Sequence, residues 1–128
     1  MTLSQSNINI ARYTLAFLWL LTAWTSVFGD YQFGVETLNQ AGITGSFADF
    51  LILGGAATDL LIGLWVLSGK ARLWNYRIQI LTIVTYSLLL TVIAPEFWLH
   101  PFGPLSKNLP ILALLLLLQA SEVERNTV

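Results

Sequence analysis

The chain has 128 residues, with seven Asp/Glu, six Lys/Arg, a formal net charge of −1 and no cysteine. At 55% hydrophobic and 10% charged, with a mean hydropathy of +0.69, it cannot clothe itself in polar groups as a soluble domain of about 25% charged residues does. Thiol chemistry and cysteine-ligated metal are excluded within this chain, and without a basic stripe nucleic acid is not an expected partner. The class that remains is a small, all-α, single-domain membrane protein whose covering is the lipid bilayer.

A polar lead-in, 1–7, is followed by an apolar run over 8–28 that only Arg12 interrupts. A cleaved leader would have a shorter apolar core behind positive charge, so this run is read as the first membrane helix. Arg12, Ala16, Trp19 and Ala23 share one of its faces. The connector 29–46 carries Asp30 and Glu36 but no Lys or Arg. Its VETLNQAG segment is expected to form an interfacial helical turn, with Tyr31 and Phe33 at headgroup level.

The second span, 47–67, reads FADFLILGGAATDLLIGLWVL and organises the rest. Its 21 residues suffice to cross a hydrocarbon layer of ~30 Å. Gly55, Asp59 and Gly63 recur at a spacing of four and fall on one face, where the glycines admit a neighbouring helix or a ligand close to the acid. An ionisable group at that depth needs a partner or water. Two readings of Asp59 stay open: a functional carboxyl, or a structural one that pins helices together.

After a short turn, SGKARL, the third span covers 74–93 and ends at Ala94-Pro95, since proline disfavours helical geometry in the residue before it. Asn75, Gln79, Thr82 and Tyr86 align on one side, and Arg77 points away. Asp59 and Thr82 each lie eight residues from the matching ends of their spans, about 12 Å deep. The expectation is an interior polar cluster of Asp59, Gln79, Thr82 and Tyr86, with Arg12 as counter-ion or, alternatively, snorkelling to lipid phosphate. Interhelical hydrogen bonding alone would also account for these groups.

The fourth span must run over about 105–123 to cross, with Pro110 in its first turn and Glu122, Glu124 and Arg125 in a short tail; a re-entrant segment built on its short apolar core, 109–118, is the alternative. Lys107 is level with Asp49, and an ion pair between them is one expectation. Four spans place Arg12, Lys70, Arg72, Arg77 and Arg125 on one side and Lys107 alone on the other. This positive-inside bias assigns both termini to the cytoplasm. The outward loop PEFWLHPFGPLSKNLP holds Trp98 and Phe102 as interfacial anchors, Pro101, Gly103 and Pro104 as turn formers, the single His100, Lys107 and Asn108. One histidine among scattered carboxylates makes no metal site, and no catalytic constellation is visible.

Together, GGAATDLLIGLWVLSG, WLHPFGPLSKNLPIL and the four-span layout resemble the DoxX-like family, from about Arg12 to Glu124. The resemblance implies a four-transmembrane-helix bundle of the bacterial inner membrane. It also implies kinship with small subunits that accompany redox systems, one of them a thiosulfate:quinone oxidoreductase. Three functions stay open. The first is an accessory subunit with a redox partner, holding a quinone among Asp59, Gln79, His100, Trp19, Trp65 and Tyr86. The second is a small transporter or proton-conducting bundle around Asp59. The third is an assembly or anchoring protein, alone, as a homo-oligomer or with a partner.

Overall fold

A computed structural model describes residues 3–100 and 105–127. Five helices carry the fold: α1 (Gln5–Trp24), α2 (Tyr31–Gln40), α3 (Gly45–Ser68), α4 (Arg72–Ile93) and α5 (Asn108–Thr127). A π-turn, Thr25–Gly29, prolongs α1, and a short 3-10 turn, Pro95–Trp98, follows α4.

Local chemistry sets the boundaries. The Ser4 hydroxyl accepts from the Asn7 N–H at 3.2 Å and caps α1. Asp30 does the same for α2 through the Phe33 N–H at 3.1 Å. Gly69 closes α3 at φ +69°, where a side chain would be strained. Ala94, held extended before Pro95, ends α4.

The expected second and third spans fall inside α3 and α4. Three expectations need correcting. The connector 29–46 holds a ten-residue helix rather than a turn, because Asp30 caps it and Gly34 lets it seat against Ile52 of α3. The last helix begins at Asn108, after turns over 105–107, rather than at Leu105. Glu122, Glu124 and Arg125 belong to that helix instead of a tail. The uncharged part of α5, 108–121, then measures only about 21 Å. Among the described residues, three helices are long and apolar enough to cross a membrane: Gln5–Gly29, Gly45–Ser68 and Arg72–Ile93. Of the loop motif, Pro101, Phe102, Gly103 and Pro104 lie outside the described residues.

α1 lies against α3 and α4 against α5, while α2 touches α3 and α4. Contacts run from the beginning of one helix to the end of its neighbour. The Leu3 N–H donates to the Ser121 hydroxyl at 3.3 Å, and Arg125 donates to the Gln5 side-chain oxygen at 2.7 Å. Ile8, Leu15, Trp19, Ile62, Val66, Tyr76, Leu115 and Leu118 meet in a core drawn from all four long helices. Outside it, Phe17, Trp24, Phe28, Phe50, Leu61, Leu88 and Val92 are exposed. So continuous an apolar surface is covered by lipid.

The tightest helix approach is at Gly63. A Cβ there would lie 2.8 Å from both Cγ and Cδ2 of Leu20 and 3.3 Å from Cβ of Trp19. At Gly55 the same atom would meet only the Tyr86 hydroxyl, at 3.7 Å. Gly63→Ala is therefore expected to destabilise the detergent-solubilised protein by about 1–3 kcal/mol, and Gly55→Ala to leave its thermal midpoint nearly unchanged. Equal midpoints for the two variants would show that the α1–α3 approach is not held at Gly63.

Candidate functional site

Gln79 is the most enclosed polar side chain of the bundle, at 0% exposure. Its oxygen accepts from the Trp19 indole N–H at 2.7 Å, and its amide nitrogen donates to Asn75 Oδ1 at 2.7 Å. One turn separates Asn75 from Gln79, so the pair lines up along α4, and Trp19 reaches it from α1. Both ends of the Gln79 amide are thereby satisfied, as burial in an apolar interior requires. Sequence reasoning placed Gln79 inside but treated Trp19 as a wall and Asn75 as a face marker. Their shared hydrogen bonds depend on how α1 is rotated against α4, and only the mid-helix position of Trp19 hinted at it.

Asp59 is also buried, at 5% exposure, but its Oδ1 has no hydrogen-bond partner. Beside it, the Tyr86 hydroxyl lies over Gly55 and near the Thr58 side chain. The glycine one turn before the acid thus makes room for a phenol from α4. The Thr58 and Thr82 hydroxyls donate to carbonyls of their own helices, Gly54 at 2.9 Å and Ile78 at 2.8 Å. The expected single cluster is therefore two separate groups. Trp19, Gln79 and Asn75 form a chain that satisfies Gln79 but leaves the Asn75 amide nitrogen without a partner, and Asp59 lies apart from it beside Tyr86.

Arg12 does not meet Asp59. Its Nη2 donates to the Val66 carbonyl at 2.7 Å, and its guanidinium rests above Gly69. Val66 lies seven residues beyond Asp59, about 10 Å along α3. The cation goes there because the last carbonyls of α3 carry the negative end of its dipole, and the Val66 carbonyl, which takes only the Gly69 N–H at 3.2 Å from the backbone, can accept a second bond.

At the end of the bundle where α2 lies, Asp49 accepts from the Tyr31 hydroxyl rather than pairing with Lys107, which is exposed. The Asp49 carboxylate raises the Tyr31 phenol above its ordinary pKa, chiefly through that hydrogen bond. Asn108 donates to the Ser87 hydroxyl at 2.9 Å and ties α5 to α4. His100 stands edge-on to Phe97 at 6.3 Å, and Phe97 stacks on Phe33 of α2 at 5.8 Å. These rings join α2 to the turn after α4, far from Asp59 along the chain. Among the described residues no three His, Cys, Asp or Glu side chains gather as metal ligands would.

A groove of about 330 Å³ opens on the lipid-facing side between α1 and α3. Leu20, Ala23, Trp24, Phe28, Ala56 and Leu60 line it. Ala56 and Leu60 stand three and one positions from Asp59, so apolar walls and the buried acid share one stretch of α3.

Fold and site thus define a small helical membrane protein with an unpartnered acid in its interior. The DoxX-like family model matches residues 16–116, and the chain belongs to that family. No curated protein and no solved structure matches it.

The Trp19–Gln79 bond makes a specific prediction. Trp19→Phe keeps a ring but leaves the Gln79 oxygen buried without a donor, at an expected cost of about 1–3 kcal/mol. In a double-mutant cycle with Gln79→Met, thermal unfolding should show coupling of at least about 0.5 kcal/mol. Additive losses would mean that the two side chains do not meet.

Proposed function

We propose that the chain crosses the bacterial inner membrane four times, with both termini in the cytoplasm. In that membrane it serves a redox system as an accessory subunit, holding an apolar, carbonyl-bearing ligand of quinone type. Support for α5 as the fourth span comes from its antiparallel seat on α4 and from its ends. Asn108 is bonded near the outer end of α4, and Arg125 beside the start of α1. With α5 spanning, five of the six cations fall at one end, the cytoplasmic one by the positive-inside rule.

The observation that carries the ligand reading is the Asp59 carboxyl, buried with Oδ1 unpartnered. A buried polar atom without a partner costs about 1–3 kcal/mol, and a ligand carbonyl facing a carboxyl proton would remove that cost. Tyr86, one turn toward the outer end, offers a second donor of the kind that orients a carbonyl. The apolar groove along Ala56 and Leu60 gives a hydrophobic tail a place to lie. Gln79 and Trp19 are engaged with each other and His100 is distant, so Asp59 and Tyr86 are the two groups we assign to the ligand. No redox chemistry is assigned to this chain's own side chains, which hold and orient.

The test is native mass spectrometry of protein extracted gently in its own lipid. A bound mass matching a quinone is expected on the wild type and on the Asp49→Asn control, and is expected to be lost with Asp59→Asn. A wild-type protein without such a ligand, or one retained undiminished by Asp59→Asn, would refute the reading. If Asp59→Asn instead abolished proton flux in proteoliposomes, the conducting-bundle alternative would replace it.

A further inference from the structure

At the end of the bundle opposite α2, an open pocket of about 510 Å³ lies between the α3–α4 turn and the end of α5. Ala71, Arg72, Trp74, Glu122, Arg125 and Asn126 are its informative walls. Arg72 is half-buried and makes no hydrogen bond or ion pair among the described residues. Arg125 spends one guanidinium nitrogen on Gln5 and keeps the others. Two arginines from different helices thus converge on one cavity, and a guanidinium is built for bidentate contact with phosphate.

The backbone adds donors. Ala71 stands at the N-cap of α4 in the left-handed region, φ 49°, and has no side chain to cap with. The first N–H groups of a 22-residue helix, together with the positive end of its dipole, are left to the pocket. A second feature belongs to the core next to it, outside the pocket's own lining. The Tyr76 hydroxyl has no hydrogen-bond partner although the residue is 1% exposed. Helical side chains lean toward the N-terminus, so this ring leans back toward Arg72. Its hydroxyl lies within electrostatic reach of Arg72, Glu122, Arg12 and Arg125.

We propose that this pocket binds the phosphate group of an anionic phospholipid headgroup. The lipid rather than a soluble phosphate is favoured by Trp74, which is exposed on the same rim with Arg77 over its ring at 5.3 Å. Such aromatic and cationic pairs mark the membrane–water interface. Against two arginines and the helix end, Glu122 leaves the pocket net positive. As an acceptor it suits the hydroxyls of a glycerol headgroup. The site is separate from Asp59 and does not depend on the ligand assigned there.

The experiment is native mass spectrometry of the full chain, delipidated in detergent. It is titrated with phosphatidylglycerol, with phosphatidylethanolamine and, separately, with inorganic phosphate. Phosphatidylglycerol is expected to bind as a single preferred copy, with Arg72→Gln and Arg125→Gln each weakening it about tenfold. Lys70→Gln, at the same end of the bundle but outside the pocket's lining, is expected to leave binding unchanged. Arg125 lies at an exposed helix end, so its variant reports binding even if Arg72→Gln disturbs folding. An equal loss with Lys70→Gln, or equal binding of phosphatidylethanolamine, would overturn the proposal by showing diffuse charge attraction. Displacement of the lipid by inorganic phosphate at matching concentration would overturn the lipid assignment.

Discussion

At Gly63 the chain has no side chain, and Leu20 and Trp19 of α1 settle directly onto the backbone of α3. That contact fixes both the distance and the rotation of α1, and the polar interior follows from them. With α1 this close, the Trp19 indole reaches Gln79 on α4, and the Arg12 guanidinium, two turns earlier, reaches the Val66 carbonyl. Small residues at helix contacts do this in membranes because close approach and directed hydrogen bonds must replace the hydrophobic drive available in water. The α1–α3 approach is then set by the contact at Gly63 and by hydrogen bonds on either side of it.

Against this background the polar groups divide by what they face. Arg12, Gln79, Thr58, Thr82 and Asn108 each find an acceptor or donor within the protein. Asp59 keeps an oxygen without one. The Asn75 amide nitrogen and the Tyr76 hydroxyl are also buried without partners, but Asp59 is the one carboxyl among the three, and an apolar residue of similar size would cost less there. Deviations of that kind are expected at functional sites. The pocket beside the α3–α4 turn follows the same logic at the surface, where two arginines and an uncapped helix start line it.

Hydropathy and spacing made the second and third spans legible, because a run of about 20 apolar residues bounded by turn formers leaves little choice. The shared face of Gly55, Asp59 and Gly63 was legible too, since it follows from the 3.6-residue period alone. What could not be read was every feature that depends on rotation between helices. Arg12 goes to the end of α3 rather than to Asp59. Trp19 donates to Gln79, and Asp49 takes Tyr31 rather than Lys107. Helix α2 was hidden for another reason. Ten residues with few strongly apolar positions give little periodic signal, and its identity rests on an Asp30 cap and on contact through Gly34. In α5, the apolar core alone was visible, and the charged residues after it read as a tail because helix continuation depends on neighbours such as Gln5.

The central claim is that the Asp59 carboxyl faces a ligand and not the protein. Infrared difference spectroscopy of carboxyl-labelled aspartate in native-lipid nanodiscs tests it most directly, comparing protein before and after extraction of apolar small molecules. The account predicts a carbonyl band that shifts on extraction, returns when the extract is restored, and is missing in Asp59→Asn. A band assigned to Asp59 that stays fixed through extraction and restoration would mean the acid is engaged within the protein, and would contradict the account.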